Sequence, residues 1–317
     1  MIGYAARQRL RLQPPYEADQ WKLEGKGEVL VVGAPNDDAF DDATRRAWES
    51  LKSSDCEAKV QEFLERHVAL LPGAWGEFGS GGHHGPMYSA VFRQPPLQGL
   101  DSTRVPDFMW IPRSTVEITP VCIEIERPTK RWFTKDGTPT AQLTQALDQL
   151  NQWRSWFSEA LNQQLFRENY LKNRWPRRVL KPQFVLIYGR ESDFTEDHKL
   201  SIEARHSKRI YLGAGPDVHL RTFDSLRWNS HNENLVTVSA STSGRFRVEW
   251  VPKSFDRLGD PTGAHYLGPI ENAIAQNSEI NSVRAGEILA AWTKERSAGR
   301  RIASGDTYLG SLPIPTP

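Results

Sequence analysis

The apolar positions of this chain change their period along its length, and each change marks an element. Val60, Phe63, Leu64, His67 and Leu71 recur at helical spacing, which predicts a helix over about residues 55–71 ended by Pro72 and Gly73. Ser54 and Glu57 have the spacing of a capping box at its start. Residues 41–51 read as a shorter helix, and the β-branched run closed by Gly33 reads as a strand. Beyond the glycine-rich loop that ends at Pro86, strands are expected at 87–93, 104–111 and 117–126. The helical period returns over about 140–162, where Leu143, Ala146, Leu147, Leu150, Trp153, Phe157 and Leu161 form one apolar stripe. A buried-strand run follows at 184–188, then a helix at 195–206 and a strand at 218–222. Helix, three strands, helix, strand, helix, strand is the order of an α/β fold, with a mixed sheet flanked by helices.

The texture differs at both ends. Residues 1–50 read as an N-terminal appended segment, 51–228 as the main domain and 229–317 as a C-terminal accessory region. In the last, strands are expected at 236–239 and 246–251, and helices at 269–277 and 282–294, ahead of a proline-rich tail.

Composition narrows the class. With 38% hydrophobic and 25% charged residues the chain reads as globular. It contains no apolar window long enough to span a membrane, and its first ten residues lack the apolar core of a signal peptide. The two cysteines, Cys56 and Cys122, have neither disulfide-framework nor zinc spacing, so a reducing cytoplasm is expected. A net charge of +1 carries no global signature of nucleic-acid binding. The cations are nevertheless grouped: Arg127, Lys130, Arg131 and Lys135 in one cluster, and Arg167, Lys172, Arg174, Arg177, Arg178 and Lys181 in another. Either cluster can hold phosphates, and either also reads as a solvated loop.

The candidate chemistry lies just before the first cluster. Along the strand at 121–126, Val121, Ile123 and Ile125 share one face, and Cys122, Glu124 and Glu126 share the other. The two glutamates then stand about 7 Å apart. Their repulsion is relieved by a cation, and Mg²⁺ prefers carboxylate oxygens with water and phosphate. If the strands at 104–111 and 117–126 pair as a hairpin, Asp107 approaches Glu124 and three carboxylates surround one ion. Such an ion activates water and steadies charge on a phosphate. Taken singly, each acid has a plainer reading, as a half-exposed strand residue or a turn residue after proline. His83 and His84 lack a partner pair for zinc, and the glycine loop lacks the ending of a phosphate cradle. Trp132 is read as anchoring its loop, with stacking on a base as its other use.

Six segments in order carry a family likeness. They are Glu57-Ala58-Lys59-Val60-Gln61-Glu62-Phe63-Leu64, Val105-Pro106-Asp107-Phe108 and Ile123-Glu124-Ile125-Glu126-Arg127-Pro128, then Gln145-Ala146-Leu147-Asp148-Gln149 with Trp153, Val185-Leu186-Ile187-Tyr188-Gly189-Arg190, and Arg221-Thr222-Phe223-Asp224. Over roughly residues 55–226 the chain resembles the Shedu family of antiphage proteins, whose core is similar to the PD-(D/E)XK nucleases. The resemblance implies a PD-(D/E)XK nuclease-like fold with N- and C-terminal additions, and a DNA endonuclease dependent on Mg²⁺ or Mn²⁺. It also implies a homo-oligomer. On this reading Asp107 and Glu124 are metal ligands, Glu126 assists them, and Glu57 is an auxiliary acid. Gln145 or Gln149 faces the site, and Arg127, Lys130, Arg131, Arg174, Arg177 and Arg178 hold DNA.

One departure stands out. The family pattern usually has lysine where this chain has Glu126, and glutamate supplies no positive charge. Glu126 could bind a second metal or accept a proton from water. Arg127 points to the opposite face, whereas Lys130 could reach back from the loop. The alternative function is a nuclease fold that grips DNA or a phage component without cutting.

Overall fold

Seven short strands form one mixed sheet, and helices cover both of its faces. The structure is a computed structural model that describes residues 40–79, 84–99, 102–195, 199–213, 215–241 and 244–303. The strand expected before Gly33, His83 and the proline-rich tail lie outside the described residues. In chain order the elements are α1 (Asp42–Leu51), α2 (Glu57–Arg66), β1 (Ala90–Arg93), β2 (Leu97–Gln98), β3 (Thr103–Arg104), β4 (Phe108–Trp110), β5 (Glu117–Ile118) and β6 (Val121–Ile125). They continue with α3 (Ala141–Ser158), α4 (Ala160–Asn169), β7 (Val179–Leu180), β8 (Gln183–Ile187), α5 (Ser192–Thr195), α6 (Ile202–Leu212) and β9 (Val218–Arg221). The last are β10 (Val236–Ser239), β11 (Arg247–Trp250), α7 (Glu271–Gln276) and α8 (Ser282–Ala303).

The sheet order is β11-β10-β1-β4-β6-β8-β9. β6, β8 and β9 are mutually parallel, β4 is antiparallel to both neighbours, and β10 runs parallel to β1. The α/β class and mixed sheet expected from the sequence are therefore present. The strands are shorter than expected, for local reasons. The segment 117–126 breaks at Thr119-Pro120, because proline has no N–H to donate to a ladder. The segment 104–111 splits around Pro106, with Arg104 in a separate hairpin. The helix expected over 140–162 ends at Ser158, where extended Glu159 separates α3 from α4.

Alternation in β6 decides what each face meets. Val121, Ile123 and Ile125 pack with Trp48 of α1, Val60 and Leu64 of α2, and Phe108 and Trp110 of β4. Cys122 packs on the opposite side with Leu143, Ala146, Leu150 and Trp153 of α3. Burial on both faces explains the near-continuous apolar runs of β6 and β8. Among the described residues no helix is long and apolar enough to cross a membrane.

Residues after Trp228 extend the same sheet, and one acid ties them to its centre. Tyr88 and Ser89 precede β1 in left-handed conformations, with φ of 64° and 51°. Such backbone costs about 1 kcal/mol or more per residue and persists only where neighbours enforce it. Asp260 is among those neighbours. Its carboxylate accepts the Tyr88 amide at 3.2 Å, and its own amide donates to Ser89 Oγ at 3.1 Å. The same carboxylate pairs with Arg174 at 3.3 Å and Arg113 at 3.9 Å. Removing one partner of such a buried group leaves charges uncompensated. Asp260→Ala is expected to lower the unfolding free energy by about 3 kcal/mol, read from denaturant titration with unchanged slope.

Candidate functional site

The register of β4 on β6 sets the site. Phe108 lies opposite Ile123, Met109 opposite Cys122 and Trp110 opposite Val121. One step further, Asp107 faces Glu124. The amide of Ile125 donates to Asp107 Oδ2 at 2.8 Å, and the Asp107 carbonyl accepts from the Gln94 amide at 2.8 Å. The hairpin expected from the sequence therefore forms and brings these two acids together. Both lie on the α3 side of the sheet, at the carboxyl end of β6.

This is a costly place for two carboxylates. Glu124 is 8% exposed, and its Oε2 is buried without a hydrogen-bond partner. Burial, then the Asp107 and Glu126 charges, push the Glu124 carboxyl up to about 10. The Gln149 amide of α3 opposes that shift by favouring the charged form. Asp107 is pushed up to about 7, by burial first and by Glu57 and Glu126, against the Ile125 amide. Glu57 is raised as well, by burial and then by Glu126, while Lys130 and Arg127 pull it down.

Glu57 is available because the expected capping box does not form. Helix α2 begins at Glu57 itself, its N-cap is Cys56, and no side chain caps it. Ser54 Oγ accepts the Cys56 amide instead, at 3.1 Å. Gln145 is exposed on α3, and Gln149, one turn on, is the glutamine beside Glu124.

Glu126 is not drawn into the Asp107–Glu124 pair. Its carboxylate is held by Lys130 Nζ, which returns through a turn closed by the Lys130 amide on the Arg127 carbonyl at 3.1 Å. Among the described residues, no three His, Cys, Asp or Glu side chains are gathered so as to hold a metal ion. The three-carboxylate centre expected from the sequence is thus not assembled as these side chains stand, because lysine has taken the third acid. The Asp107–Glu124 pair does fit a cation: two buried, raised carboxyls, with a Glu124 oxygen that no described residue satisfies.

The first basic cluster borders this pair, and the second does not. Arg127, Thr129, Lys130 and Lys135 line a cleft of about 430 Å³ that also includes Asp55 and Thr140. Arg131 lines it too while pairing with Asp193 at 2.9 Å. Arg174, Arg177 and Arg178 belong to the segment that enters β8 beside Val121, at the other end of β6. That end is about 10 Å along the strand from Glu124. There the Arg174 and Arg178 guanidiniums stack on Trp175, at 4.1 and 4.9 Å, and Arg177 is exposed. The sequence groups both clusters around the acids, but the strand direction separates them. Trp132 is fully buried against Tyr188 and Phe194, so it anchors its loop.

The order of these pieces along the chain matches a known family. The model of "Shedu protein SduA, C-terminal" matches residues 54–226, more than half of the chain. The chain belongs to the Shedu family. No curated protein matches it. The Shedu match takes in α2 through β9 and every acid of the candidate site, and it stops before β10 and β11. Two residues with clear places in the candidate site carry no mark in the sequence periodicity. Asp55 precedes α2 and reaches across to Arg127 and Thr129, and Asp193 fixes the loop through Arg131 and the Trp132 amide at 2.7 Å.

The raised carboxyls carry a definite sign. Their ordinary values are 3.8 for Asp107 and 4.5 for Glu124. A folded value above the unfolded one gives stability that is complete at low pH and lost as pH rises. The metal-free protein should therefore lose stability from about pH 4 through 7, where Asp107 titrates, and further toward 10. Glu124→Gln should stabilise it at pH 8, on the order of 2 kcal/mol, and leave it unchanged at pH 4. Thermal melts in EDTA at the two pH values check this.

Proposed function

We propose that this Shedu chain is a divalent-metal-dependent DNA endonuclease acting in defence against phage. The observation that carries the reading is the buried Asp107–Glu124 pair with its unsatisfied Glu124 oxygen. Family membership supports the defence role, and the likeness of the family's core to the PD-(D/E)XK nucleases is the ground for reading the mixed sheet as a nuclease fold. Asp107 and Glu124 would hold Mg²⁺ or Mn²⁺, and Gln149 would steady Glu124 in its charged form. A cation bound there supplies charge to the scissile phosphate and acidifies a water.

The other residues have separate tasks. Lys130 brings to Glu126 the positive charge that this strand position lacks. An ammonium there stabilises charge developing on the phosphate. Glu57, raised and next to Glu126, is suited to hold or pass a proton. Arg127, Arg131 and Lys135 present the cleft to the DNA backbone. The family likeness extends the reading to a homo-oligomer.

A second reading is favoured by the Lys130–Glu126 pair, which leaves two acids rather than three at the centre. In it the chain grips DNA without cutting. Plasmid incubated with the protein and Mg²⁺ or Mn²⁺ separates the two. Cleavage should occur and should fall at least about 100-fold in Asp107→Ala and in Glu124→Ala, since even residues supporting a metal ligand cost up to that much. Salt-sensitive binding with no cleavage in the unsubstituted protein would establish the second reading instead.

Lys130→Met tests the lysine separately. It should lower cleavage about 100-fold, in the range of losing one transition-state donor, while Mn²⁺ binding by calorimetry is kept or tightens as Glu126 is released toward the acid pair. Unchanged cleavage would remove Lys130 from the reaction.

A further inference from the structure

The basic cleft contains one acid, and its position is unlike that of a surface counter-ion. Asp55 Oδ1 accepts from Thr129 Oγ1 at 2.6 Å and from Arg127 Nη1 at 3.1 Å. A hydroxyl and a guanidinium converging on one anionic oxygen is the donor set that a non-bridging phosphodiester oxygen takes. The cleft of about 430 Å³ is of a size for a nucleotide unit. Its other charged lining residues, Arg127, Lys130, Arg131 and Lys135, are all cations. Lys130 joins it to the acid pair by holding Glu126.

Asp55 is also easily displaced. Its side chain is 72% exposed and its arginine partner 35% exposed, so water screens the pair. It lies before α2 begins and caps no helix. Nothing in the packing of the sheet requires a carboxylate here.

We propose that Arg127 and Thr129 form a phosphodiester subsite next to the acid pair, and that Asp55 occupies it as an internal phosphate mimic. A backbone phosphate then enters this subsite only by displacing the protein's own carboxylate, which sets a ceiling on affinity. This rests on the reading of DNA as the ligand, and deepens it.

The test is fluorescence anisotropy of a short labelled DNA duplex, in EDTA, over a series of salt concentrations. Four proteins are compared: unsubstituted, Asp55→Ala, Arg127→Ala and the double variant. Asp55→Ala should bind about 3- to 10-fold more tightly, with a salt slope steeper by about one phosphate contact. The gain should vanish in the double variant, because Arg127 receives the phosphate. Unchanged or weaker binding by Asp55→Ala overturns the proposal, and so does a gain that survives loss of Arg127. Binding by the unsubstituted protein with no gain in Asp55→Ala sinks this inference alone. No DNA binding by either protein sinks the nucleic-acid reading with it.

Discussion

The antiparallel pairing of β4 with β6 is the contact on which the rest of the molecule depends. It holds Asp107 across from Glu124, and it is enforced by apolar side chains on both faces. A slip of one residue would turn Phe108, Trp110, Val121 and Ile123 away from the helices that cover them. The register is thus protected by the whole core, while the acids themselves oppose it. The centre keeps its geometry because packing outweighs the repulsion it encloses, as expected of sites that pull pKa values away from their ordinary range.

Charge is layered around that centre. Glu124 and Asp107 lie deepest, Glu57 and Glu126 form an outer acidic rim, and Lys130, Arg127 and Lys135 lie beyond. Two of these cations already have an acid: Lys130 holds Glu126, and Arg127 holds Asp55. A polyanion approaching this face meets pairs to be rearranged rather than bare positive charge.

Much of the site was legible in the sequence because β6 alternates so cleanly. Its two-residue period placed Glu124 away from Ile123, and the short spacing to Asp107 implied a hairpin. What escaped depends on through-space facts. The Ser54–Glu57 spacing suits a capping box, but the helix starts later and frees the glutamate for the rim. Gln145 and Gln149 are equivalent by period, and only the height of α3 on the sheet chooses between them. The second arginine cluster follows the long helix closely in sequence. Because β8 runs parallel to β6, the chain must first return to the opposite end of the sheet. Asp260 carries no local pattern at all, since its partners lie on β1's approach, near β4 and after α4.

The placement of β10 has a consequence for how the chain acquires its shape. β1 sits inside the sheet with β4 on one side and β10 on the other, and β10 arrives more than 140 residues later, at Val236. Until then the backbone N–H and C=O groups of Ala90, Val91 and Phe92 on that side form an open, unpaired margin. A ribosome-bound chain, or a fragment cut to the limits of the family match, presents this margin as an adhesive border. Closure of the molecule is therefore a late event in synthesis, and the segment that completes it lies outside the part most readily identified as the working domain.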